Sequence, residues 1–299
     1  MAERGVLVVA GATATGKTEL ALRLARRFDA EIVGADSRQV YRDMPIGTAA
    51  PSSAALLEIP HHCVGILDPY ERYSAGRFER DALDAIAAIH ARGKNALVVG
   101  GTGFYIRALT GGVSLARAYD AQLRERLARE ARTHDGGFLH SWLAQLDPRR
   151  ATAILPNDTY RVLRALEIHL TRDAADSSGP VTIERPAFVK IALDVPIEEI
   201  DARIVRRAQE MIENGLLEEA ERIGAGAVAA SAVGYPQALA HLRGWGTRQE
   251  LLASLVRATK RYARRQLAWF RREPGTFCLA PDAVAGAARE KLGWREKAG

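Results

Sequence analysis

The chain lacks most features that narrow a function by themselves. Only Cys63 and Cys278 occur in 299 residues, too few for a disulfide framework, so a reducing compartment, the cytoplasm, is expected. No apolar run approaches the roughly eighteen residues that a membrane span needs, and no membrane partner is expected. Met1-Ala2-Glu3-Arg4 reads as running directly into a strand, which leaves no room for a signal peptide. No Asn-Lys-x-Asp stretch exists, which disfavours a guanine-reading GTPase. His61-His62-Cys63 has no partner pair at metal-ligand spacing, so these residues read as local packing and hydrogen-bonding groups. There is no internal repeat and no long low-complexity tract.

Lysine is scarce too. The formal net charge is +6, but only six of the 42 basic residues are Lys. An excess of base hints at a polyanionic partner. An arginine-favouring genome would produce the same excess, so the placement of the bases has to decide. With 47% hydrophobic and 26% charged residues, the chain can bury a substantial core. Its length predicts one large domain or a core with an insert.

Through the first third, short β-branched runs alternate with helical stretches. Val6 to Ala10, Glu31 to Ala35 and Asn95 to Val99 read as strands, with helices over Thr18 to Phe28 and Ala82 to Arg92. This alternation predicts an α/β fold with a mostly parallel, doubly wound sheet flanked by helices. After Gly111-Gly112 the pattern changes: residues from about 117 to 175 are helical and rich in Arg, then comes the loop Asp176 to Pro180. Strand character returns at Phe188 to Leu193, followed by helices over about 197–214, 216–223, 234–242 and 248–272. The expected division is a core over residues 1–114, a helical insertion domain over 115–180, and core completion with basic helices over 181–299.

Gly11-Ala12-Thr13-Ala14-Thr15-Gly16-Lys17-Thr18 fits the phosphate-loop pattern G-x-x-x-x-G-K-[ST] in full, after a strand and before a helix. Glycines let the loop turn its backbone N–H groups toward phosphate oxygens, and the helix N-terminus adds partial positive charge. Lys17 neutralises the phosphates, and the Thr18 hydroxyl is placed to ligate Mg²⁺. The loop does not say whether the phosphates belong to a nucleotide such as ATP, and a small-molecule kinase stays open. The second strand ends at Asp36-Ser37-Arg38-Gln39, at the end of the sheet where ligands bind in open α/β folds. Asp36 can there be a general base or a metal-associated carboxylate, or simply a solvated strand-end residue. Val99-Gly100-Gly101-Thr102 repeats the geometry and aims Thr102 at the same crevice, although a plain tight turn would look the same.

The basic residues are not evenly spread. Arg257, Lys260, Arg261, Arg264, Arg265, Arg271 and Arg272 fall within a sector of about 140° on one helix face, and no acid lies between Leu251 and Arg272. Ordinary amphipathic surface helices mix acids among the bases, so this face suits a nucleic-acid backbone. Arg161 and Arg164 share a face in the insertion, where Arg124 and Arg126 lie on an earlier helix.

The ordered motifs resemble those of the tRNA dimethylallyltransferases (isopentenyl-diphosphate:tRNA transferases) over nearly the whole length. The resemblance is carried by the phosphate loop, Ala35 to Tyr41, Ile46-Gly47-Thr48-Ala49 and Tyr73 to Phe78. Further matches are Val99 to Tyr105, Pro156-Asn157-Asp158, Arg164 to Glu167, Val233-Gly234-Tyr235 and Ala258 to Phe270. It implies a P-loop NTPase-like fold in which Gly11 to Thr18 hold the diphosphate of dimethylallyl diphosphate, with Mg²⁺ at Thr18. The acceptor implied is the exocyclic N6 of the adenosine 3′-adjacent to the anticodon, in tRNAs reading codons that start with U. Asp36 would take the amine proton. Asp36, Ser37, Arg38, Gln39 and Thr102 would meet the acceptor nucleotide. Arg124, Tyr160, Arg161, Arg164, Arg261, Arg264 and Arg265 would grip the anticodon stem-loop. A monomer is the default expectation. The chain departs from the family pattern at Ala50 and Ser231, where Lys and Arg are common, and Thr171 to Gly179 lacks the usual Lys.

Overall fold

The computed structural model describes residues 4–113, 121–134, 136–175 and 184–297. The expected loop Asp176 to Pro180 and residues 117–120 lie outside them. Two compact units form: Met1–Val113 with Arg185–Gly299, and Ser114–Glu184.

The first unit is built on six strands: β1 (Val6–Ala10), β2 (Ala30–Gly34), β3 (His61–His62), β4 (Asn95–Gly100), β5 (Phe188–Leu193) and β6 (Thr276–Leu279). Their order is β3-β2-β4-β1-β5-β6, and every pairing among the described residues is parallel. Strands covered on both faces need apolar side chains in both directions, which is why β1 reads as an unbroken Val/Leu run and is buried throughout. Leu7 and Val9 enter one core with Leu20, Leu24, Phe28, Ile200 and Ile204. Val6, Val8 and Ala10 enter the opposite core with Phe78, Ile86, Ile89 and Ile106. A third cluster joins Val40, Tyr41 and Met44 to Ile212, Leu216, Tyr235 and Leu255.

The strand at Phe188–Leu193 belongs to the same sheet as β1, pairing Val6 with Phe188 and Val9 with Ile191. Two strands and four α-helices escaped the sequence reading: β3, β6 and the helices Pro45–Thr48, Ser53–Glu58, Gly103–Leu109 and Val284–Leu292. The helix expected from Ala82 starts at Ala75, because the Ser74 hydroxyl caps it by accepting the Arg77 N–H.

The second unit is helical in its described residues: Ala121–Thr133, Gly136–Leu146, Pro148–Ala153 and Thr159–Ala175. Its own core is formed by Leu127, Leu139, Leu143, Val162 and Leu166. Among the described residues no helix is long and apolar enough to cross a membrane.

Candidate active site

The carboxyl ends of β1, β2 and β4 converge on one cleft of about 820 Å³, at the edge of an open parallel sheet where ligands bind. The turn after β1 runs through left-handed conformations at Ala14 (φ 64°) and Gly16 (φ 85°) before the helix Lys17–Phe28 begins. The buried Thr15 hydroxyl donates to the Ala12 carbonyl at 2.8 Å and pins the loop from inside. No side chain caps the helix N-terminus, so its first N–H groups remain available to an anion. Thr13 to Thr18 line the cleft. Gly11 and Ala12 are buried.

Lys17 donates to the Ala12 carbonyl at 2.6 Å. Burial pushes its ammonium down to about 8; the Asp36 charge opposes that shift and the Arg207 charge adds to it. Losing hydration disfavours the charged form, so this lysine is poised to gain from an anionic ligand. Asp36 follows β2 and lines the same cleft. Its Oδ1 accepts the backbone N–H groups of Arg38 at 2.9 Å and Gln39 at 3.4 Å. Both bonds fall on one oxygen, leaving the other to take a proton.

Thr102 stands behind this loop. Its hydroxyl accepts the Ser37 N–H at 2.9 Å, and its own N–H donates to the Ala35 carbonyl at 3.2 Å. A Cβ on Gly100 would lie 2.0 Å from that Ala35 carbonyl oxygen. Only glycine lets the ends of β2 and β4 approach so closely. Gln39 donates to the carbonyls of Thr48 at 3.1 Å and Ala49 at 3.0 Å, closing another wall.

Several cleft residues were not anticipated. Arg203, Arg206 and Arg207 line it from the helix Ile197–Glu213. Arg207 donates to the Thr13 hydroxyl at 3.3 Å and to the Thr48 carbonyl at 3.5 Å. Burial holds its guanidinium below the usual range, opposed by the Asp36 charge. The signal was present as Arg203-x-x-Arg206-Arg207 beside the apolar stripe Ile200, Ile204, Ala208, Ile212, but such arginines read as a solvent face. Ser231 lines the same cleft. Gln266, on the helix Arg248–Arg272, accepts the Thr13 N–H at 2.9 Å and donates to the Gly101 carbonyl at 2.7 Å.

The bases of that helix separate into different environments. Lys260 and Arg264 pair with Asp201 at 3.0 and 3.1 Å, an acid contributed by another helix. Arg265 lines the cleft, and Arg257, Arg261, Arg271 and Arg272 are exposed. In the helical unit, Arg124 and Arg164 both pair with the buried Glu167, at 3.3 and 2.8 Å. Tyr160 is 73% exposed, and Arg161 reaches Asp158 at 3.2 Å. His61 contacts the Ile59 carbonyl and His62 contacts the Glu31 carboxylate, at 2.7 and 2.8 Å.

The parallel sheet with its phosphate loop and facing carboxylate defines an α/β enzyme of the P-loop NTPase-like class. Residues 39–273 match the family model for IPP transferase, and residues 4–61 match that for isopentenyl transferase. The tRNA dimethylallyltransferase of Myxococcus xanthus (strain DK1622) is 43% identical over 293 residues, covering 95% of each chain. That of Anaeromyxobacter sp. (strain K) is 44% identical, covering 95% of this chain and 96% of its own. Among solved structures, the tRNA isopentenylpyrophosphate transferase of Bacillus halodurans matches with a TM-score of 0.69 at 33% identity, covering 97% of this chain and 96% of its own. A eukaryotic dimethylallyltransferase acting on tRNA matches with a TM-score of 0.78 at 26% identity, covering 95% of this chain and 76% of its own. The chain belongs to the tRNA dimethylallyltransferase family and is a prenyltransferase; these relations favour that reading over a small-molecule kinase.

Proposed function

We propose that this enzyme transfers the dimethylallyl group of dimethylallyl diphosphate to the exocyclic N6 of the adenosine 3′-adjacent to the anticodon, in tRNAs reading codons that start with U. The observation that carries the reading is the meeting of a cationic phosphate cradle and the Asp36 carboxylate in a single cleft. In the reaction, N6 attacks the allylic carbon as that carbon's bond to oxygen breaks. Diphosphate leaves with the bonding electrons, and the amine proton passes to Asp36. Lys17, Arg207 and the backbone N–H groups of Gly16 to Thr18 at the uncapped helix N-terminus stabilise the charge that builds on the leaving group, the kind of electrostatic help that is worth most in a desolvated site. Tyr262, Arg265 and the stretch Asp36 to Gln39 line the same cleft and would receive the acceptor base once it leaves the anticodon-loop stack.

Mg²⁺ suits the donors present. The Thr18 hydroxyl and the Asp36 carboxylate line one cleft, and among the described residues no cluster of three metal-ligating side chains exists. Mg²⁺ is held by one or two protein oxygens together with phosphates and water, not by a protein cage. Thr18 would hold it, with Asp36 nearby, and when bound it neutralises charge on the diphosphate.

The exposed arginines Arg257, Arg261, Arg271 and Arg272 offer a phosphate-binding surface. In the helical unit, Tyr160 and Arg161 offer a stacking and a charged group. Arg124 and Arg164 would contribute from their pairing with Glu167. The chain acts in this reading as a monomer in the cytoplasm.

The test is incubation with labelled dimethylallyl diphosphate, Mg²⁺ and unmodified tRNA. Label is expected in tRNA, at an adenosine beside the anticodon. Label reaching tRNA or a metabolite only from the γ-phosphate of ATP would overturn the assignment.

A further inference from the structure

The helix Leu216–Ile223 carries three acids, Glu218, Glu219 and Glu221, in no recognisable motif. Two of them are ordinary. Glu219 is 1% exposed. Its Oε2 accepts the Ile46 N–H at 2.9 Å and its Oε1 accepts the Gly47 N–H at 2.7 Å. The hydroxyl of Tyr235, itself fully buried, donates to the same Oε1 at 2.7 Å. Three neutral donors thus converge on one buried carboxylate, and hydrogen bonds to a charged acceptor are stronger than neutral ones.

The short turn Pro45–Thr48 is therefore held from two sides. On one side its N–H groups lie on Glu219. On the other, Gly47 packs against the Tyr235 ring so closely that a Cβ there would lie 2.6 Å from two ring carbons. What the turn then presents to the cleft is a pair of carbonyls. The Thr48 carbonyl accepts from Gln39 and Arg207, and the Ala49 carbonyl accepts from Gln39. Arg207 in turn reaches the Thr13 hydroxyl in the phosphate loop. Gly47, Thr48 and Ala49 line the cleft, whereas Glu219 and Tyr235 do not.

We propose that Glu219 and Tyr235 are positioning residues for the active site, fixing through the Pro45–Thr48 turn the places of Arg207 and Gln39. They touch no substrate. Their effect passes through two carbonyl oxygens, which must sit where Gln39 can donate to both and where Arg207 can donate to that of Thr48 while reaching the phosphate loop. A carboxylate is needed because it offers an acceptor to each of two adjacent N–H groups. Glutamine would set an NH₂ group against one of them. The role assigned to Arg207 rests on the diphosphate reading above.

The test uses the full chain and titration calorimetry with inorganic diphosphate plus Mg²⁺. Glu219→Gln is expected to weaken diphosphate about 10-fold, because it sets an NH₂ group against a backbone N–H, and Tyr235→Phe about 3-fold, because it removes one of three hydrogen bonds and leaves the carboxylate in place. In an Arg207→Ala background each should change affinity less than about 2-fold, because the group they place is gone. Hydrogen exchange of the ligand-free protein supplies a second readout, with faster exchange expected across residues 46–50 in either variant. Equal losses in the Arg207→Ala and parent backgrounds would overturn the proposal. So would a lowered melting temperature with unchanged affinity and unchanged exchange. Tyr235→Phe keeps the carboxylate and serves if Glu219→Gln does not fold. Should the parent chain fail to bind diphosphate, the prenyl-donor reading falls. The positioning role is then judged by exchange alone: faster exchange over 46–50 supports it and unchanged exchange ends it.

Discussion

Gln266 accepts the backbone N–H of Thr13 at 2.9 Å across most of the length of the chain, while its amide nitrogen donates to the Gly101 carbonyl at 2.7 Å. One buried side chain on the basic helix thus joins the phosphate loop to the turn after β4. Helix and loop are held as one piece.

Replacing Gln266 with Ala would leave a buried carbonyl and a loop N–H without their partner. The expected cost is about 1–3 kcal/mol in unfolding free energy, readable by chemical denaturation. Because the tie fixes the loop itself, the Michaelis constant for the prenyl donor should rise more than that for tRNA. Equal changes in both would argue that the residue matters only for packing.

Lys17 makes a prediction with two signs. Its folded-state pKa of about 8 lies below its ordinary 10.5, so the unfolded chain binds more protons between those values. The lysine's contribution to stability therefore rises with pH from about 8 to 10.5 and is unfavourable below. Lys17→Met should raise the melting temperature at pH 7 while abolishing diphosphate binding, the trade between stability and function expected of a desolvated charge. In the parent, donor affinity should fall as pH rises through about 8. Thermal melts and diphosphate titrations across pH 6.5–10 measure both.

Asp36→Asn keeps shape and both backbone hydrogen bonds but cannot take the amine proton. General-base assistance is typically worth about 10²–10⁴-fold. Single-turnover rates should drop at least about 100-fold, with tRNA affinity changed far less. A folded Asn variant that keeps most of its rate would move the proton to water or to the departing diphosphate.

Among the helix bases, Arg261 and Arg264 should behave differently. Arg261 is exposed, and its removal should lower the salt dependence of tRNA binding by about one counterion equivalent. Arg264 is paired with Asp201, so Arg264→Ala gives up part of an existing ion pair and should flatten the salt slope less. Filter binding of one tRNA from 50 to 300 mM salt separates them. Identical slopes for both variants and the parent would remove this helix face from the interface.

Local patterns made much of this molecule readable in advance. Val6 to Ala10 forms a strand with the expected limits because a strand covered on both faces must be apolar throughout, and Phe188 to Leu193 does so although it carries Lys190 and is fully buried only from Ile191 to Leu193. The helix Arg248–Arg272 was legible from its period, and its Thr247–Glu250 capping box closes the N-terminus. By contrast, β3 has two residues and β6 four, too few for a period to develop. The phosphate loop and Asp36 are contiguous motifs and could be found as such. Arg207, Gln266 and Glu219 could not, because each acquires its task only when a distant segment arrives beside it. The same holds for Asp201: counting acids within the basic helix missed one supplied by the helix Ile197–Glu213.

The sheet order has a consequence for how the chain is made. β1 is synthesised first, yet one of its two neighbours is β5, which follows the whole helical unit. Until Phe188–Leu193 leaves the ribosome, one flank of β1 stays unpaired, and an apolar strand edge invites association with other chains. The phosphate loop waits longer still, since Gln266 is translated well after β5. Nascent chains stalled within the insertion should therefore depend on chaperones, and acquire a competent phosphate loop only after the basic helix has been translated.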